Sequence, residues 1–314
     1  MTVGDIGEDG VVALLQQIAG SARNGDDAAV LGPASPNSRT VVTTDMLVQD
    51  RHFRFDWSTP REIGRKAIVQ NFADLAAMGS RPVAAVVALS LPAHTTVSFL
   101  TEFATGIKEM VDYYSAEFVG GDVTSGDRLV ISVAAIGSLG GSLPALELNR
   151  ARVGQTVIAS GTLGHSAAGY ALLTKFGRDG VPDTLTDLVS AHVAPLLNPR
   201  RGLVARATGT TSMTDNSDGL IHDLATLARA SGVTIDLNSA AIAPDDLLID
   251  AAHLLGVDPW LWVLSGGEDH TLVGTTRNSE VSGFRVIGRV VSATGEPVTI
   301  DGERPRYTQG WESL

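Results

Sequence analysis

Five short segments set an acidic residue beside glycine, serine or threonine: Gly25-Asp26-Asp27, Thr43-Thr44-Asp45, Gly120-Gly121-Asp122, Asp215-Asn216-Ser217-Asp218 and Gly266-Gly267-Glu268-Asp269. A sixth carboxylate, Asp74, lies inside an apolar helical pattern beside Ala73, Leu75, Ala76 and Ala77. Fixed carboxylates among small neighbours suit hard, oxygen-seeking cations. Mg²⁺ in particular is usually held by a few carboxylates plus substrate phosphates.

Each segment also has a plainer reading. Gly25-Asp26-Asp27 could be an ordinary turn, and Asp45 a strand-end residue. Gly120-Gly121 permits close backbone approach to a phosphate, but such a pair is often a bulge. Asp215 to Asp218 precedes an amphipathic helix that Ser217 or Asp218 could cap, and a helix N-terminus is also an anion site. Asp74 belongs either to a solvated stripe with Lys66 and Gln70 or to a semi-buried site with a counter-ion.

The elements that must position these groups follow from periodicity. Arg39 to Thr44 is a β-branched run that would deliver Asp45 at its tip. Thr59-Pro60-Arg61-Glu62 carries a capping box with proline at the first helical position, and opens a helix that Gly79 ends. Strands are expected at 82–91, 117–119, 129–139, 156–159, 233–237, 271–274 and 284–290. Helices are expected at 11–19, 95–114, after the Gly161 to Gly169 turn, and at 183–193, 199–207 and 219–230. The turn-rich stretch Gly140 to Pro144 places a domain boundary near Arg150, giving domains 1–149 and 150–314. Mixed strands and helices in both halves predict an α/β (α+β) protein in two domains.

The 314 residues, 44% hydrophobic and 18% charged, describe a soluble globular chain with room for two cores. Zero cysteines exclude disulfides, thiolate metal sites and cysteine nucleophiles. A net charge of −12 disfavours nucleic acid and anionic membranes as partners. The apolar runs are strand-length, and the first residues have neither a basic nor an apolar signal region, so a cytoplasmic location is expected. No P-loop, Gly-x-Gly-x-x-Gly, histidine pair of helical metal spacing or nucleophile elbow is present.

The order of the motifs is more specific than any one of them. Gly-Asp-Asp-Ala-Ala-Val from Gly25, Thr-Thr-Asp-Met-Leu-Val from Thr43 with His52-Phe53, Asn-Phe-Ala-Asp-Leu-Ala-Ala-Met-Gly from Asn71 and Gly-Gly-Asp-Val-Thr from Gly120 resemble bacterial thiamine-monophosphate kinase. The second half continues with Ser160-Gly161 to Gly169, Asn198-Pro199-Arg200, Ser-Asp-Gly-Leu from Ser217 with Asp223-Leu224, and Leu-Ser-Gly-Gly-Glu-Asp from Leu264.

The resemblance implies the two-domain fold of the aminoimidazole ribonucleotide synthetase superfamily, with a mixed sheet packed by helices in each domain. It implies an N-terminal domain for metal, ATP and dimerisation, and a C-terminal domain completing the ATP and thiamine-phosphate sites. The implied reaction is phosphorylation of thiamine monophosphate by ATP, without a P-loop and with several Mg²⁺ ions, in a homodimer. Asp27, Thr43, Thr44, Asp45, Asp74, Asp122, Asp215 and Asp218 would hold metal. Gly121, Asp122, Arg150 and Ser217 would line the ATP site, while His52, Glu268 and Trp311 would face thiamine phosphate. The plainer readings are a structural, hydrogen-bonded His52 and a Trp311 that only packs the tail.

Three places depart from the family pattern. Phe72-Ala73 stands for Leu-Ser, Asn216 for isoleucine or leucine, and His270 for tyrosine. The alternatives are a sister enzyme, such as an aminoimidazole ribonucleotide synthetase, or a non-catalytic nucleotide-binding regulator on the same scaffold. Two other sisters, selenophosphate synthetase and the hydrogenase-maturation dehydratase, rely on cysteine or selenocysteine chemistry that this chain lacks.

Overall fold

The structure, a computed structural model, describes residues 1–20, 37–278 and 280–310. The chain divides into two compact units, Met1–Leu75 with Arg81–Ser142, and Ala76–Ser80 with Leu143–Leu314. The changeover at Ser142 comes earlier than the expected boundary near Arg150.

In the first unit, helix α1 (Val3–Ala19) precedes strand β1 (Arg39–Val48), helix α2 (Pro60–Ala77), β2 (Arg81–Leu91), α3 (Val97–Tyr113), β3 (Glu117–Ser125) and β4 (Val130–Leu139). The four strands form one sheet in the order β1-β4-β2-β3. β1 and β2 each run antiparallel to β4, whereas β2 and β3 are parallel, with α3 as the crossover that parallel pairing needs. α1 starts earlier than expected because Thr2 and Asp5 form a capping box, and it kinks at Gly7. α2 begins as the sequence predicts: Thr59 N–H donates to Glu62 Oε2 at 2.7 Å and Glu62 N–H donates to Thr59 Oγ1 at 3.3 Å.

The core of this unit includes Ile63, Ile68, Phe72 and Leu75 of α2, Leu100, Phe103 and Ile107 of α3, and Leu47 and Ile131 of the sheet. Each such side chain contributes about 1.5–3 kcal/mol relative to exposure. The other face of the sheet is open at β1, where Val42 is 66% and Met46 52% exposed.

The second unit carries β5 (Thr156–Ser160), α4 (His165–Phe176), α5 (Thr186–Val193), α6 (Arg201–Ala207), β6 (Thr210–Asp215), α7 (Leu220–Ser231), β7 (Thr234–Leu237), α8 (Asp246–Leu255), α9 (Trp260–Ser265), β8 (Leu272–Thr276), β9 (Arg285–Val291) and β10 (Val298–Ile300). Its six-stranded mixed sheet has the order β10-β7-β9-β5-β8-β6. β6, α8, α9 and β10 were not expected from the sequence. Among the described residues no helix is long and apolar enough to cross a membrane.

Candidate functional site

Two expectations about local structure are corrected. β1 continues to Val48, so Asp45 lies within the strand and not at its tip. β3 likewise runs through Gly120-Gly121-Asp122 to Ser125. The strand survives two glycines because β2 pairs with it, through a register shift at Ala85/Val86. A Cβ on Gly121 would stand 1.8 Å from Val87 O, so this approach admits only glycine.

In the first unit two periodicities mesh. Thr43 and Asp45, two apart, share one face of β1, while Asn71 and Asp74, three apart, share one face of α2. Thr43 Oγ1 donates to Asp74 Oδ2 at 2.6 Å, and Asp45 N–H donates to Asn71 Oδ1 at 3.0 Å. Asn71 is fully buried and its own amide donates to Ala67 O. Asp74 is half-buried, and Lys66 does not belong to a solvated stripe: it is 1% exposed, with Nζ donating to His52 O at 3.0 Å.

Thr44 faces the opposite side and donates to Val133 O at 2.8 Å. Asp122 pairs with exposed Ala88 while Gly121 pairs with buried Val87, so the alternation places the Asp122 side chain on the face opposite Asp45. Among the described residues the Asp122 side chain has no hydrogen-bond partner. His52 accepts the Val48 N–H at Nδ1, 3.0 Å away, which in the neutral ring leaves the proton on Nε2.

In the second unit, antiparallel β6 and β8 set Asp215 opposite Leu272, so the segments beyond them run side by side. Glu268 N–H donates to Ser217 O at 2.8 Å, His270 N–H to Asn216 O at 3.0 Å, and Asn216 N–H to Thr271 O at 2.8 Å. Gly267 makes this contact possible, since a Cβ there would lie 2.1 Å from Ser217 O. Asp215 Oδ2 lies 3.0 Å from His270 Nδ1, both side chains being buried.

Neither Ser217 nor Asp218 caps α7. Gly219 holds the cap position, and Asp223 reaches back from the helix to accept the N–H groups of Asp218 and Gly219, each at 3.1 Å. Arg150 ends the 3-10 turn Leu148–Arg150 and lies 3.4 Å from Glu147. That turn is pinned to β6 and α7, because Ser212 and Ser231 both donate to Leu148 O. Gly310 lies against Asp218 and His222, which brings the C-terminal segment to this group. Asp27 and Trp311 lie outside the described residues.

The acids of this unit repel one another. Burial, then the charges of Asp215 and Asp218, push Asp223 up to about 7. Asp218 is raised by burial and by Asp215 and Glu268, with His222 opposing. Burial also lifts Asp269 to about 6, although it accepts the N–H groups of Ser166, at 2.8 Å, and Gly164. Asp218, His222 and Asp223 each present a ligand atom within 4.8 Å of the others. Crowded carboxylates whose ionisation is penalised, with oxygen donors at hand, fit a hard divalent cation.

Comparison with known proteins shows the family. AIR synthase related protein, N-terminal domain, matches residues 25–139, and its C-terminal domain matches 152–300. A thiamine-monophosphate kinase of Corynebacterium glutamicum is 60% identical over all of this chain and 95% of its own length. The chain belongs to the thiamine-monophosphate kinase family. A Mycobacterium tuberculosis family member is 47% identical over 92% of this chain and 85% of its own. The solved structure of AaThiL complexed with AMPPCP and TMP has a TM-score of 0.81 at 30% identity, covering 100% of this chain and 99% of that one. Hydrogenase maturation protein HypE in complex with ATP, at 19% identity and a TM-score of 0.77, shares the fold alone.

Sequence motifs within the family contained several residues to which spacing assigned no role. Asp223 and Asp269 stand inside quoted motifs, and Asn71 opens one, so a signal was present. Their function as backbone anchors becomes visible only once strand pairing is known. His192 carried no sequence signal.

Proposed function

We propose that the chain transfers the γ-phosphoryl group of ATP to the phosphate of thiamine monophosphate, giving thiamine diphosphate and ADP. The observation that carries this is 60% identity to a thiamine-monophosphate kinase over the full chain.

Both reactants are anions, so transfer demands charge neutralisation and alignment more than bond-making help. The acceptor phosphate, with a second pKa of about 6, is already ionised at neutral pH, and no general base is assigned. Asp27, Thr43, Thr44, Asp45, Asp74, Asp122, Asp215 and Asp218 are the residues that would hold Mg²⁺, which when bound supplies positive charge to the two phosphate chains. Gly121, Asp122, Arg150 and Ser217 serve ATP. The Thr43 hydroxyl orients Asp74, Asn71 anchors the Asp45 backbone, and Asp223 holds the Asp218 main chain.

His52, Glu268 and Trp311 serve thiamine phosphate. Its thiazolium is a fixed cation, which suits Glu268 by charge and Trp311 by cation–π attraction of about 0.5–2 kcal/mol. The open sheet face with Val42 and Met46 supports a homodimer formed by this unit. The reaction belongs in the cytoplasm, where ATP is at hand.

The test is a direct assay with ATP, Mg²⁺ and thiamine monophosphate, the products separated by chromatography. Thiamine diphosphate and ADP should form in equal amounts and vanish with EDTA. ATP binding without product would overturn the assignment.

A further inference from the structure

Glu268 has a backbone that its surroundings must hold in place. Its φ of 60° lies in the left-handed region, and so does the 51° of His270, two residues on. Non-glycine residues in this region cost of order 1–3 kcal/mol and persist where contacts over-determine them, commonly at ligand sites. On the main-chain side, Glu268 N–H is fixed by Ser217 O at 2.8 Å. On the side-chain side, Glu268 Oε2 lies 3.3 Å from Nδ1 of His192.

His192 is set in the last turn of α5 and is buried. Tyr170 of α4 packs edge-on against its ring at 5.4 Å between centroids, and Ser166 Oγ lies 3.1 Å from the same Nδ1. The ring is therefore fixed by packing before any ligand arrives. α5 carries no other residue of the candidate site.

We propose that His192 is a positioning residue that aims the Glu268 carboxylate at the thiamine half of the substrate, through a proton on Nδ1. This rests on the assignment of Glu268 to substrate binding and adds to it the residue that sets its orientation. An ionised carboxylate only accepts hydrogen bonds, so the contact requires an N–H at Nδ1. If that nitrogen were bare it would accept a hydrogen bond from the Ser166 hydroxyl, and its lone pair would face Glu268 and repel it. With Nδ1 protonated, Glu268 Oε2 is tethered, and the direction in which the carboxylate faces a cationic or amino group of the ligand is set.

Steady-state kinetics on five variants, each with a thermal melt, decide the matter. His192→Leu removes the donor, His192→Asn keeps an N–H close to the place of Nδ1, and His192→Gln moves it outward. His192→Leu should raise KM for thiamine monophosphate about tenfold or more, the worth of one hydrogen bond to a charged group. KM for ATP should stay within about twofold, and His192→Asn should restore most of the loss where His192→Gln does not. In a Glu268→Ala background, His192→Leu should add nothing.

A raised KM in Glu268→Ala with no change in His192→Leu would overturn the positioning role. So would equal losses for both substrates, or losses that add in the double variant. An unchanged KM in Glu268→Ala would instead remove Glu268 from the substrate site, a separate result. If His192→Leu loses its cooperative melt, the contrast between asparagine and glutamine still decides: equal KM values for the two would reject the inference.

Discussion

Asp223 is a carboxylate placed where its own charge is unwelcome. Burial and the neighbouring Asp215 and Asp218 lift it from an ordinary 3.8 to about 7, and burial alone lifts Asp269 to about 6 against the N–H groups of Ser166 and Gly164. Between about pH 4 and 7 the folded chain keeps protons that the unfolded chain has released. Stability from these groups therefore falls as pH rises through that window, and the full cost is present above it. Asp223→Asn keeps an acceptor for the Asp218 N–H and removes the charge. It should raise the melting temperature of the metal-free protein at pH 8 by at least about 2–4 °C, with the gap closing toward pH 4. An equal shift at both pH values would mean that the charge is not the cause. At Asp74, which the Thr43 hydroxyl holds by one oxygen, Asp74→Asn retains the fold and loses a ligand charge. Turnover should drop at least ~100-fold, and a rate near that of the unaltered protein would take Asp74 out of the site.

At the level of elements, the β6–β8 pair sets the geometry of the second unit, and Gly267 is its tightest point. Gly267→Ala would drive a Cβ into Ser217 O. A cost of about 1–3 kcal/mol in the melt and a weakened KM for both substrates are expected, since the Ser217 and Glu268 segments must part together. An unchanged melt would show that the rungs between them give easily. This pair also shows what the sequence could and could not reveal. The α2 start was legible, because Thr59, Pro60 and Glu62 act locally. β6 was not, because Thr-Thr-Ser-Met-Thr-Asp carries almost no apolar alternation and becomes a strand only by pairing with β8. The extent of β3 was hidden by glycines that read as punctuation, while Gly121 is required by the approach of Val87 and Gly120 by its φ of 149°. Among the candidate site residues, the carboxylates are the ones that residue type and spacing bring forward. His192 and Asp269 were not assigned roles, since they act on partners distant in sequence, such as Ser166 for Asp269.

For the whole molecule, the proposed binding of metal and nucleotide has a consequence for stability, since the crowded acids of the second unit gain from a counter-charge. Mg²⁺ with a non-hydrolysable ATP analogue should raise the melting temperature, by about 2.7 kcal/mol of stability at 100 times Kd. A melt unmoved at saturation would count against nucleotide and metal binding to the native state. The open face of the first sheet makes a different demand. Placing charge at Val42 and Met46 together, as Val42→Asp with Met46→Asp, should convert a dimer to monomers in light scattering. Both side chains are already in solvent in the isolated chain, so the melt of the monomer should change little. A dimer that survives both charges would place its interface elsewhere.

Asn216 and His270, two positions that the sequence reading marks as departures from the family pattern, meet across the rung that joins the β6 and β8 ends. His270 N–H bonds to Asn216 O, the His270 ring lies against Asp215, and the Asn216 amide reaches Asp269 at 3.4 Å. The rung is backbone to backbone and survives substitution at either position, whereas the side chains act on the neighbouring acids Asp215 and Asp269, so a change at one alters the polar surroundings in which the other sits. A chimaera of two relatives with its crossover between these positions would inherit halves that never met, and should lose activity that neither parent lacks.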